Sequence, residues 1–207
     1  MYWAEFFTIA IAHLFAVASP GPDFAIVTKQ SVTAGTRAGV WTSLGVGCGI
    51  LLHVSYCLLG VAFILASSPR LFTVVKIIAA LYMMYLSFQA FRASLKPAVV
   101  AVSGIVQPTI NPYKSFMSGF LTNGLNPKAT LFFLALFTVV ISPDTPLGWQ
   151  IGYGLYLAVA TFAWFAMLSK VLGRQQVREF MLRAGVWFER GMGLVLLGLA
   201  LQLLLAS

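Results

Sequence analysis

The sequence predicts an all-α integral membrane protein. Six transmembrane helices form two inverted 3+3 repeats, and the first and fourth helices are interrupted. Three observations carry this reading. The 207 residues are 60% hydrophobic and 9% charged, with a mean hydropathy of +0.92, whereas a soluble domain carries about a quarter charged residues. Six segments approach the roughly 20 apolar residues that a membrane helix needs. Prolines beside a charged residue interrupt two of those segments at corresponding places. The chain is expected to be a single transmembrane domain, 1–207, with repeat 1 over about 1–95 and repeat 2 over about 112–207.

The first span is expected over about 4–29. Its start, MYWAEFFTIA, carries Glu5 and lacks a positive n-region, so it reads as a retained span and not as a cleaved signal. Within it lies VASPGPDFAIV, which holds Pro20, Gly21, Pro22 and Asp23. The second span, about 39–66, lies in the uncharged run from Ala38 to Pro69 and contains Cys48 and Cys57, read as free thiols packed in a helix. The third, about 71–91, has Lys76 near its start, where the side chain can snorkel to the interface. The fourth, about 115–140, is interrupted near Asn126; the fifth covers about 147–169 and the sixth about 190–206.

The net charge of +8 does not point to nucleic acid, because the basic residues lie between oily spans. Lys29 and Arg37 join spans one and two. Arg92, Lys96 and Lys114 join three and four. Lys170, Arg174, Arg178, Arg183 and Arg190 join five and six, so ten of the 13 basic residues share one side. The positive-inside rule puts that side in the cytoplasm and both termini outside.

A shift of 105 residues superimposes Pro22 on Pro127, Gly47 on Gly152 and Gly49 on Gly154, and sets Asp23 on Lys128. Eight further residues in the connection bring Gln89 onto Gln202 and Leu86 onto Leu199. Three spans per half give the halves opposite orientations. Inverted halves with helices broken in corresponding places characterise secondary transporters, whose substrate site lies near the midplane at the breaks.

The breaks suggest the chemistry. Pro20, Pro22 and Pro127 cannot donate to the carbonyls of Ala16, Ala18 and Asn123, and in hydrocarbon such carbonyls need a partner or a wet cavity. Each break also begins a new helix: Asn126 followed by Pro127 reads as an N-cap and N1, and Gly21 with Pro22 can play the same part. Free N–H groups and the positive dipole end suit a carboxylate there, while freed carbonyls and Asp23 suit an ammonium. A zwitterionic amino acid requires both. Asp23, at N2, agrees with its dipole; Lys128, also at N2, opposes its own and needs an anion, either Asp23 or a substrate carboxylate. A structural ion pair is the plainer alternative. Charges within a span are costly and usually face a cavity or a partner.

His53 and His13 read as packed or hydrogen-bonded histidines, with a proton relay as the sharper alternative. The pairs Gly35/Gly39, Gly45/Gly49 and Gly148/Gly152 serve close helix contact within the protomer or, alternatively, a homodimer face. Tyr82, Tyr85, Tyr153 and Tyr156 either pack or line a cavity. No nucleophile–base pair, phosphate-cradling loop or metal cluster is visible, so neither an enzyme nor a cofactor is expected.

SPGPDFAIVTKQSVTAGTRAGVWTSLGVGCGILLHVSY and SGFLTNGLNPKATLFFLALF resemble the lysine exporter/homoserine-threonine resistance (LysE/RhtB) family over nearly the whole chain. The resemblance implies export of amino acids or their derivatives from the bacterial cytoplasm across the inner membrane, driven by a proton or other ion gradient. It carries substrate-binding roles onto Pro20, Gly21, Pro22, Asp23, Asn126, Pro127 and Lys128, and Asp23 is the candidate for proton coupling. Many members have an acidic residue near the position that Ile50 holds here. Because related superfamily members handle cations, the alternative is an exporter of another small ion such as a metal cation.

Overall fold

The computed structural model describes residues 2–67, 69–95, 110–142, 144–172 and 175–205. They form eight helices and no strand: α1 (Tyr2–Ala18), α2 (Pro22–Thr33), α3 (Thr36–Ser67), α4 (Pro69–Ser94), α5 (Pro112–Gly124), α6 (Pro127–Val139), α7 (Leu147–Val171) and α8 (Gln175–Leu205). Thr36–Gly60, Leu147–Val171 and Arg183–Gln202 are each long and apolar enough to cross a membrane. α1 and α2 together make a fourth such span, bent by 53° at the break. The third and fourth predicted spans correspond to α4 and to α5 with α6, which fall outside that set among the described residues. Large apolar side chains such as Leu59, Phe88, Val159 and Leu194 are turned outward. In water that surface would be insoluble; in a bilayer it is the lipid face, and the chain is a multi-pass membrane protein.

The sixth segment differs from the sequence reading. The helix does not begin near 190 but at Gln175, and its apolar stretch starts at Arg183. Glu and Arg are good helix formers, so Glu179, Arg183, Glu189 and Arg190 do not stop it. Glu189 is moreover buried with partners of its own.

α3 is the centre of the packing, touching α2, α5 and α7, while α4 lies along α8. The α3–α5 contact is backbone against backbone. A Cβ on Gly45 would lie 2.0 Å from the Phe116 carbonyl oxygen, and one on Gly119 would lie 2.0 Å from that of Thr42. Gly49 faces the side chain of Asn123, and Gly39 those of Ser31 and Ser169. These glycines serve close helix contact within the protomer. Gly35 has another use: its φ of +88° makes the turn between α2 and α3. Gly148 and Gly152 are exposed, with nothing near them. Cys48 and Cys57 are both free, Cys57 fully buried.

Candidate functional site

The first break is Ser19-Pro20-Gly21. α1 closes with the Ser19 N–H donating to the Phe15 carbonyl at 3.1 Å. Gly21 then caps α2 in extended conformation, with Pro22 at N1 and no side-chain bond to the new helix start. The second break is Leu125-Asn126. Here the Asn126 side chain accepts from the Lys128 backbone N–H at 3.0 Å, with Pro127 at N1, which is the cap that Asn before Pro prescribes. Pro127 leaves the Asn123 carbonyl without its helical donor. That carbonyl accepts instead from the Asn126 N–H at 2.9 Å and from His53 Nε2 at 3.0 Å. Since a carbonyl only accepts, Nε2 carries the proton, and Nδ1 of the neutral ring accepts from the Tyr56 hydroxyl. His53 is therefore a hydrogen-bonded histidine whose task is to complete the second break.

The two breaks face one cavity. Its wall includes Gly21, Pro22 and Asp23 from the first, Asn126 and Lys128 from the second, and Asn123 between them. Asn123 Nδ2 donates to Asp23 Oδ2 at 2.9 Å, tying the start of α2 to the end of α5. Asp23 Oδ1 and Asn123 Oδ1 are buried and accept from no side chain or backbone group among the described residues. Two residues of the wall thus each keep an acceptor without a partner, Asn123 Oδ1 lying on the side of Gly49, and an ammonium with its three donors is a group that such acceptors suit. His13, whose Nε2 lies 2.8 Å from Thr161 Oγ1, lines the cavity as well. Ile50, Phe132, Phe133, Phe165 and Met192 make the remainder apolar.

Two of the seven residues singled out in the sequence stand apart. Pro20 is not on the wall; its ring packs against Gly185 of α8, where an added Cβ would meet it at 2.4 Å. The side chain of Pro127 lies outside the described residues.

Lys128 has a further anion beside it, Glu189, which the sequence reading did not single out. Its Nζ lies 3.5 Å from Glu189 Oε1 and donates to Ser19 Oγ at 3.1 Å. The Ser19 hydroxyl in turn donates to Glu189 Oε1. This cluster joins the first break, the start of α6 and the middle of α8. The α6 dipole opposes a cation at its N2 position, and Glu189 offsets that opposition. Sequence reasoning missed Glu189, Ser19 and Asn123. For Glu189 a signal was present: the allowance that aligns Gln89 with Gln202 also sets Glu189 on Lys76, a second match of opposite charges between the halves. The side chain of Lys76 lies outside the described residues.

Residues 14–207 match the family model of LysE type translocators. The chain is 27% identical over 201 residues to the threonine efflux proteins of Salmonella typhi and Escherichia coli K12, covering 97% of this chain and 98% of each relative. It is 33% identical over 147 residues to the leucine efflux protein of Salmonella choleraesuis, covering 70% of this chain and 65% of that one. No solved structure matches. With all but its first 13 residues inside the family match, and with both helix breaks inside that range, this chain belongs to the LysE type translocator family; it is a transporter and not an enzyme.

Proposed function

We propose that the protein is a secondary active transporter that exports amino acids or their derivatives from the bacterial cytoplasm across the inner membrane, coupled to the proton gradient. The observation that carries this reading is the convergence of the two breaks on one cavity, whose wall carries unpartnered acceptors on Asp23 and Asn123 as well as Lys128. Asp23 and Asn123 hold the substrate ammonium. Lys128 and the α6 start hold its carboxylate. Asp23 is also the carrier of the coupling proton. Gly21, Pro22, Asn126 and Pro127 shape the two helix starts, and Pro20 acts on the first break from outside the wall.

The names of the relatives support an amino acid with an uncharged side chain. The wall agrees, since Ile50 and four further apolar side chains offer nothing to a second charge. The cavity of about 60 Å³ has room for roughly four waters at about 15 Å³ each, which favours a small substrate. Corresponding helices of the two halves pack together, α3 with α7 and α4 with α8, and this supports six spans arranged as a 3+3 inverted repeat. The ten basic residues on one side support outward termini. A metal cation fits less well: among the described residues no group of three His, Cys, Asp or Glu side chains could hold one.

The test is transport in proteoliposomes against a panel of labelled amino acids, with and without a pH gradient. Uphill movement of small uncharged amino acids that requires the gradient is the expected result. No movement of any amino acid would overturn the substrate reading, and movement indifferent to the gradient would overturn the coupling.

A further inference from the structure

We infer that Glu189 is an internal competitor for Lys128, drawing its ammonium away from the cavity until a substrate carboxylate draws it back. This rests on the amino-acid reading above and assigns a residue that neither the sequence motifs nor the family match singles out.

The geometry is that of an exchangeable pair. Lys128 and Ser19 stand on the cavity wall, and Glu189 is not part of it. The Lys128 side chain is 34% exposed and that of Glu189 8%, so the lysine is the accessible partner of the pair. A settled ammonium–carboxylate hydrogen bond measures about 2.7–2.9 Å; the 3.5 Å observed is a looser contact. An ammonium has three N–H donors, and Ser19 takes one of them. The others can turn either to Glu189 or towards the cavity. Glu189 Oε2 is buried with no partner among the described residues, so the cluster is held by one of its two oxygens. When Lys128 turns to a substrate, Glu189 keeps the Ser19 hydroxyl and is not stranded. The arriving carboxylate also meets the α6 N-terminus, which favours a negative charge. Glu189 thereby prevents Lys128 from being left as an unpaired buried cation between cycles, and it lowers the affinity for substrate by the strength of the pair that must be broken.

A structural role and a competitive role predict opposite signs. Loss of a purely structural partner weakens binding, whereas loss of a competitor strengthens it. Glu189→Gln keeps the size and the acceptor for Ser19 but removes the charge. In proteoliposomes, the half-saturation for exchange of labelled threonine and of labelled leucine should fall about tenfold in this variant. Threonine amide and leucine amide, which lack the carboxylate, should compete with the same potency in variant and wild type. An unchanged or higher half-saturation for the amino acids would overturn the inference, as would an equal gain for the amides. If Glu189→Gln fails to reconstitute, Glu189→Asp reads the same quantity. It keeps the charge but withdraws it from Lys128, and should lower half-saturation about twofold to threefold; no decrease overturns the proposal. A wild type that exchanges neither these nor any other amino acid sinks the amino-acid reading itself, and this inference with it. An active wild type without the gain in the variants sinks only the role of Glu189.

Discussion

The two helix breaks use proline at the same position, yet they are secured in different ways. The second is held by its own residues and by α3. Asn126 caps its own helix, its N–H returns to Asn123, and His53 takes up the carbonyl that Pro127 releases. It is also mounted on α5, whose backbone touches that of α3 at Gly45 and Gly119. The first break has no side-chain cap and is bent by 53°. Its polar groups find partners elsewhere, Ser19 in Lys128 and Glu189, and one oxygen of Asp23 in Asn123. Local bonds between neighbours in sequence are kept whenever the helix is kept. Bonds between side chains of different helices can be exchanged. On the function proposed above, the second break is the fixed wall of the site and the first is the wall whose contacts a substrate rearranges.

The largest expected effect lies on the exchangeable side. Asp23→Asn keeps an oxygen for the Asn123 amide but cannot carry charge. We expect amino-acid exchange between the two sides of a liposome to persist with a raised half-saturation, while uphill transport driven by a pH gradient drops to background. If both persist, Asp23 is structural and the mobile wall is not the coupling wall. Next comes the mounting of the fixed wall. Gly119→Ala puts a methyl group into the Thr42 carbonyl, and overpacking against backbone should cost about 3 kcal/mol or more, read as a lower unfolding midpoint in detergent. Gly21→Ala, whose nearest neighbour would be the Ser19 carbonyl oxygen at 3.9 Å, should stay within about 0.5 kcal/mol of wild type. Equal losses from the two substitutions would erase the distinction between the breaks.

His53→Ala leaves the freed Asn123 carbonyl short of a buried donor, a loss of about 1–3 kcal/mol. His53→Gln, which retains an N–H donor, should recover part of it; no recovery would mean that ring packing against Phe133 is what matters. The smallest effect is at the cap. Asn126→Ala should cost about 1 kcal/mol, and Asn126→Ser, another good cap, should restore most of it. If transport suffers equally in both, Asn126 touches substrate and does more than cap.

What could be read from the sequence follows the same division. Proline's missing N–H and the capping preference of Asn are rules about adjacent residues, so the helix starts at Pro22 and Pro127 were visible in the one-dimensional pattern. His53 was legible as a hydrogen-bonded histidine, but not its partner, because the carbonyl it serves belongs to another helix. Glu189 was obscured by its neighbours: flanked by Arg183 and Arg190, it reads as part of a cytoplasmic connection, and only a lysine from α6 shows that it is inside. The glycine pairs were recognisable as helix-contact material. Which of them face a neighbour depends on helix rotation, and Gly148 and Gly152 face away from the protein.

The glycine contact between α3 and α5 also limits how the protein can move. Two helices whose backbones meet at Gly45 and Gly119 resist sliding lengthwise, because the neighbours one turn away on the same faces, Thr42 and Cys48 on α3 and Phe116 and Asn123 on α5, carry side chains that would meet the opposing backbone. Rotation about the contact meets no such obstacle. The contact is therefore a fulcrum, with the Asn123 amide about one helical turn beyond it on α5. A small tilt of α5 about that point would swing the amide relative to α2, and the bond from Asn123 to Asp23 is the first that such a tilt would stretch.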